Sequence, residues 1–60
     1  MPYYGMFDAD GSDAGEIHLS VYVKPGELIF LGTGKLRVLD VAPVEEEGSR
    51  YSGFLKVEAA

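Results

Sequence analysis

Between Leu36 and Val41 the apolar residues of this chain change phase. Leu36 and Val38 stand two apart on one face of an extended strand, whereas Leu39 and Val41 stand on the other. Side chains alternate strictly along a strand. An apolar face therefore switches sides only at a bulge, at a sharp bend, or where both faces are buried. The residues upstream tighten the constraint. Lys24-Pro25-Gly26-Glu27 fits a type II turn, with proline pre-setting φ and glycine supplying the positive φ that follows. Such a turn splays its flanking strands. Leu28-Ile29-Phe30-Leu31 is apolar on both faces, which marks it as the central, most buried strand. Gly32-Thr33-Gly34 makes a short hairpin turn after it. A splayed start and a bulge near Leu39 and Asp40 predict one long, bent strand serving two sheets, a device that closes small barrels.

The remaining strands follow from alternation. Residues 3–7 form a first strand in which Tyr3 and Phe7 share a face. Residues 8–15 are small, acidic and glycine-punctuated, a solvated loop. Residues 16–24 set Ile17, Leu19, Val21 and Val23 against Glu16, His18, Ser20, Tyr22 and Lys24, as in an antiparallel sheet with one wet face. Pro43 requires an edge, a strand end or a bulge. Residues 45–50 read as a second solvated loop, and residues 51–58 as a last strand. That strand turns Tyr51, Leu55 and Val57 inward and leaves Phe54 on the opposite face. No capped run with helical period occurs. The fold class expected is all-β: a five-stranded, strongly bent antiparallel sheet closing into a small barrel, as one domain over residues 1–60.

At 60 residues such a chain buries only roughly 60% of the surface that its unfolded form exposes. Small domains compensate with disulfides, metals or partner subunits. There is no cysteine and one histidine, His18, which excludes disulfides and thiolate zinc sites. Tight β packing or self-association as a homodimer remains. The net charge of −5, from ten acidic and five basic residues, repels phosphate backbones and disfavours non-specific nucleic-acid binding. No basic, apolar leader precedes Tyr3, and no apolar run approaches the roughly 20 residues of a membrane-spanning helix. The expectation is a cytoplasmic protein without a membrane partner.

Candidate chemistry fails on spacing. The loop Asp8-Ala9-Asp10-Gly11-Ser12-Asp13 has the closely spaced oxygens that calcium wants. Read from Asp8, however, Asp13 stands where an EF-hand needs glycine, and Leu19 where it needs glutamate. Glu16, His18 and Ser20 share one face of one strand, without a strained nucleophile turn or an oxyanion hole. Gly32-Thr33-Gly34-Lys35 lacks the spacing of a phosphate loop. No catalytic residue, metal ligand or cofactor site is predicted, and the chain is read as non-enzymatic. The aromatics exceed what so small a core needs, which points to a protein-interaction or structural module. Tyr4, Tyr22 and Phe54 are the candidate anchors, with Arg37 and Lys56 at the rim. The alternative, from another class, is a nucleic-acid-linked role. In it, residues such as Asp8, Asp10, Asp13 and Glu45 to Glu47 mimic DNA phosphates, or the aromatics stack single strands in the manner of an OB-fold.

The run Pro25-Gly26-Glu27-Leu28-Ile29, a glycine turn and Leu36-Arg37-Val38-Leu39-Asp40-Val41 is similar to the middle hairpin of SH3-like small barrels. Residues 25–60, ending in Gly53-Phe54-Leu55-Lys56-Val57-Glu58-Ala59-Ala60 after an acidic loop, also resemble a class of small bacterial and phage proteins. The resemblance implies a small barrel and no particular activity. The chain has no tryptophan, and the paired-aromatic groove of the peptide-binding SH3 family does not map onto it. Polyproline binding is therefore not implied.

Overall fold

The computed structural model describes residues 1–32 and 34–60. Within them five strands form: β1 (Tyr3–Asp8), β2 (Asp13–His18), β3 (Leu28–Leu31), β4 (Gly34–Ala42) and β5 (Gly53–Ala59). They make one sheet in the order β2-β1-β5-β4-β3, curled through 209° into a half-barrel, with no helix among the described residues. The all-β, five-stranded, strongly bent architecture is as expected. The sheet is mixed, however, where an antiparallel one was expected, because β1 and β5 run parallel. It also stops short of closure: β2 and β3 are its two edges and do not touch.

The phase change is resolved by a bulge. Along β4–β5 the register passes from Val38↔Val57 directly to Asp40↔Lys56, so Leu39 is the extra residue. One inserted residue restores the phase and keeps Leu36, Val38 and Val41 on the inner face. The Lys24-Pro25-Gly26-Glu27 turn forms as expected, the Glu27 N–H donating to the Lys24 carbonyl at 3.2 Å with Gly26 at φ 92°. The Gly26 N–H then donates to the Val38 carbonyl at 2.7 Å, and the Val38 N–H to the Glu27 carbonyl at 2.8 Å, tying the turn to the bulged strand. Of the turn expected at residues 32–34, Thr33 lies outside the described residues.

The concave face holds the core: Tyr4, Met6, Ile29, Val38, Leu55 and Val57 are buried, with Ile17, Leu19, Val23, Leu36 and Val41 packed partly buried against them. Leu55 and Val57 point inward as expected, and they do so from the middle strand of the sheet. Tyr51, expected inward with them, precedes β5 and lies with Tyr3 and Phe54 on the convex face, because strand alternation does not extend back past Gly53. Two further expectations are corrected. β3 is an edge strand, not the central one, and Ile29 alone of its residues is buried. An apolar run on both faces marks a strand that can be buried, but the parallel β1–β5 pairing takes the central place for β5. Next, the strand expected over residues 16–24 ends at His18, and Val21 stands 62% exposed. β2 pairs with β1 only as far as Tyr3↔His18. Beyond it lies Pro2, which accepts from the Leu19 N–H at 2.9 Å and has no N–H to return. The solvated loop of residues 8–15 is correspondingly shorter, because Asp13, Ala14 and Gly15 already belong to β2. No helix of the described residues is long and apolar enough to cross a membrane.

Candidate interaction surface

Alternation that sends Tyr4 and Met6 into the core sends Tyr3, Gly5 and Phe7 to the convex face of β1, and Phe54 and Lys56 to that of β5. The parallel register sets Gly5 opposite Phe54. A Cβ at Gly5 would lie 2.8 Å from Cδ1 of Phe54, so the phenyl ring lies across β1 only because residue 5 has no side chain. From there rings meet in sequence across the sheet. Phe7 and Phe54 are tilted with centroids 5.9 Å apart, Phe54 and Tyr51 at 5.2 Å. Tyr51 and Tyr3 stack at 5.1 Å, and Tyr3 stacks on His18 at 4.1 Å. The order of the row is His18, Tyr3, Tyr51, Phe54, Phe7.

Glu16 organises one end of this row. Its Oε1 accepts from the Tyr3 hydroxyl at 2.6 Å, and its Oε2 accepts from the Tyr51 hydroxyl. The Arg50 guanidinium donates to the same Oε2 at 3.3 Å. It also lies over the Tyr3 and Tyr51 rings, 5.7 and 5.3 Å from their centroids. As an exposed pair Arg50–Glu16 contributes about 0–1 kcal/mol, and the cation–π contacts are worth about 0.5–1 kcal/mol each at such sites. The Tyr3 hydroxyl is held above its ordinary pKa. The bond it donates to Glu16 is the main cause, with lost hydration and the Glu16 charge adding to it and Arg50 opposing. A pKa raised on folding means the contribution of that bond is complete below about pH 10 and is lost as pH rises through the higher folded value. In alkaline difference spectra near 295 nm, one tyrosine is therefore expected to ionise later than free phenol, and Glu16→Gln to bring it back. A wild-type titration in which every tyrosine behaves as free phenol would contradict the contact.

At the Phe7–Phe54 end a groove of about 360 Å³ opens, lined among others by Phe7, Phe54, Asp8, Asp10, Asp40 and Lys56. Asp13 sits opposite Phe7 across β1–β2. The turn beside it is tightly bonded: the Asp8 N–H donates to the Ser12 carbonyl at 2.8 Å, and the Ser12 N–H to Asp10 Oδ1 at 3.0 Å. That last bond holds the Asp10 carboxyl below its usual range. Among the described residues no three carboxylate or imidazole groups are close enough to hold a metal ion together.

The open edge of the half-barrel is a second surface. Leu28 and Phe30 leave β3 on the convex side, opposite Arg37 and Lys35 of β4, and Phe30 is 74% exposed. The four residues of β3 carry no charge.

Of the residues chosen from sequence, Phe54 and Lys56 are brought together in the groove. Arg37 is exposed beside Leu28 at the other side of the sheet, and Tyr22 is exposed in the connection between β2 and β3. Tyr4 is a correction: its ring is 2% exposed in the core, and its hydroxyl accepts from the Val23 N–H at 3.4 Å. Odd and even positions of β1 take opposite faces, and the concave face is the even one. The expected alignment of Glu16, His18 and Ser20 on one strand face is also lost, since Ser20 lies beyond the end of β2. Sequence reading missed the Glu16, Arg50, Tyr51 and Tyr3 cluster. The face shared by Tyr3 and Phe7 was visible in alternation, but not the strand that would lie beside it. No family model matches the chain, no curated protein matches it, and no solved structure matches it.

Proposed function

We propose that this chain is a non-enzymatic protein-interaction module that self-associates through the free edge of β3. The observation that carries the reading is an edge strand, Leu28–Leu31, made only of apolar residues with Phe30 turned out to solvent. An edge strand offers unpaired N–H and C=O groups, and proteins that must stay monomeric blunt it with charge, proline or a bulge. β3 has none of these within its four residues. Two such edges joined antiparallel about a two-fold axis place Leu28 and Phe30 of one copy beside their counterparts, with no like charges opposed within the paired strands. A core of six buried side chains also gains from a partner surface. The non-enzymatic part is supported by the state of the polar groups: Glu16 is engaged by two phenols and a guanidinium, and His18 is stacked on Tyr3. Around the aromatic row Glu16, Asp8, Asp10 and Asp13 outnumber Arg50 and Lys56, and this net acidic border favours a protein over a nucleic-acid partner.

Sedimentation equilibrium tests the proposal. The wild-type mass is expected to rise with concentration towards twice the 6.5 kDa of the chain. The folded double variant Leu28→Lys/Phe30→Lys is expected to remain monomeric. A wild type that stays monomeric at millimolar concentration, or a double variant that associates equally, would overturn it.

A further inference from the structure

We propose that the groove at the Phe7–Phe54 end of the aromatic row binds an arginine side chain carried on a basic segment of a partner protein. The row already holds one guanidinium: Arg50 lies over Tyr3 and Tyr51 and pairs with Glu16. The opposite end repeats the same components without a guanidinium. Two rings stand 5.9 Å apart, and Asp8, Asp10 and Asp40 line a groove of about 360 Å³ over them. Two of these carboxylates are oriented by bonds from the backbone. Asp10 Oδ1 accepts the Ser12 N–H at 3.0 Å, with the Ser12 side chain adding a further bond, and Asp40 Oδ1 accepts the Val41 N–H at 2.9 Å, with no bond to the second oxygen of Asp40 among the described residues. Lys56 is the one basic residue lining the groove, and it forms no ion pair among the described residues.

Charge complementarity selects the occupant. The lining carries three carboxylates against one ammonium, within a chain of net charge −5, so the local field draws in cations. A planar guanidinium stacks on rings and bonds carboxylates in a fork, whereas a compact, strongly hydrated ammonium does neither well. An arginine is therefore preferred to a lysine. The groove is lined from β1, β5 and the end of β4 beyond Arg37, where β3 no longer pairs, and does not depend on self-association.

The test is a ¹⁵N-resolved NMR titration with an acetylated, amidated tri-arginine peptide, its citrulline counterpart (same shape, no charge) and tri-lysine. Tri-arginine is expected to shift amides of residues 7–11, 40–42 and 54–56 saturably, tri-lysine several-fold more weakly, and tri-citrulline not at all. Asp8→Asn/Asp40→Asn is expected to weaken tri-arginine binding at least tenfold with the spectrum otherwise folded, and Lys56→Gln to tighten it. Leu28→Lys/Phe30→Lys is expected to bind as wild type, which separates this site from the β3 edge. Absent or non-saturable shifts, shifts centred on residues 45–47, equal binding of tri-lysine, or unchanged affinity in the aspartate variant would each overturn the proposal.

Discussion

Leu55→Ala is expected to lower the stability of the domain by about 2–5 kcal/mol. Leu55 is 1% exposed and sits on β5, the middle strand, paired with Met6 of β1 on one side and Val41 of β4 on the other. Truncation loses the transfer free energy of the removed methyl and methylene groups and leaves a cavity that three strands bound together cannot collapse into. A chain of this length holds roughly 0.05–0.15 kcal/mol per residue, so the loss takes most of the reserve. Urea unfolding followed by circular dichroism measures it. Should Leu55→Ala leave too little native state to titrate, Leu55→Val gives the same ranking on a smaller scale. Val21→Ala, at a 62% exposed position in the connection between β2 and β3, is the control and is expected to cost far less. Equal costs at the two positions would mean that β5 is not the centre of the core.

Gly53→Ala is expected to destabilise by about 1–3 kcal/mol, against the usual direction for glycine in a strand. Elsewhere, exchanging such a glycine for alanine gains roughly 0.5–1 kcal/mol by reducing the entropy lost on folding. At Gly53 sterics outweigh entropy. A Cβ there would stand 2.9 Å from the Ala42 carbonyl oxygen and 3.3 Å from the Tyr4 ring. The carbonyl is backbone of the neighbouring strand and cannot rotate away as a side chain would. The ring is one of the buried groups of the core. Relief requires β4 and β5 to part where the ladder between them begins. Gly34 gives the contrast, its nearest neighbour being the Leu31 carbonyl oxygen at 3.7 Å, an ordinary contact. Gly34→Ala is expected to be neutral or slightly stabilising in the same urea experiment. A Gly53→Ala variant as stable as wild type would show that the strands are not packed this closely at residue 53.

These two positions also show how far local rules reach. Leu55 was readable as inward-facing from alternation with Val57, and the bulge at Leu39 from the phase change that it repairs. The type II turn at residues 24–27 followed from proline before glycine, and the Glu27 N–H to Lys24 carbonyl bond is where that chemistry puts it. The crowding at Gly53, by contrast, leaves no mark in the residues around it. It comes from Ala42 and Tyr4, and the Tyr4↔Gly53 pairing joins residues near opposite ends of the chain. The same pairing made Tyr4 core, laid Phe54 over Gly5, and put Tyr3 and Tyr51 within reach of one carboxylate.

What the sequence determined by itself is therefore the all-β class, the bent and bulged long strand, the turn before it, and, within β1 and β5, the side on which residues group. All of these depend on contacts within a few residues or on a period of two. Which strand lies beside which, and hence which face is concave, only the tertiary structure decided. The parallel β1–β5 ladder is closed by chain ends that share no local signal. It moved the buried centre from β3 to β5 and left an apolar strand at the open edge. It also gathered residues 3, 7, 16, 50, 51 and 54 into one surface. Alternation states that two residues share a face. It takes a neighbouring strand to say what that face meets.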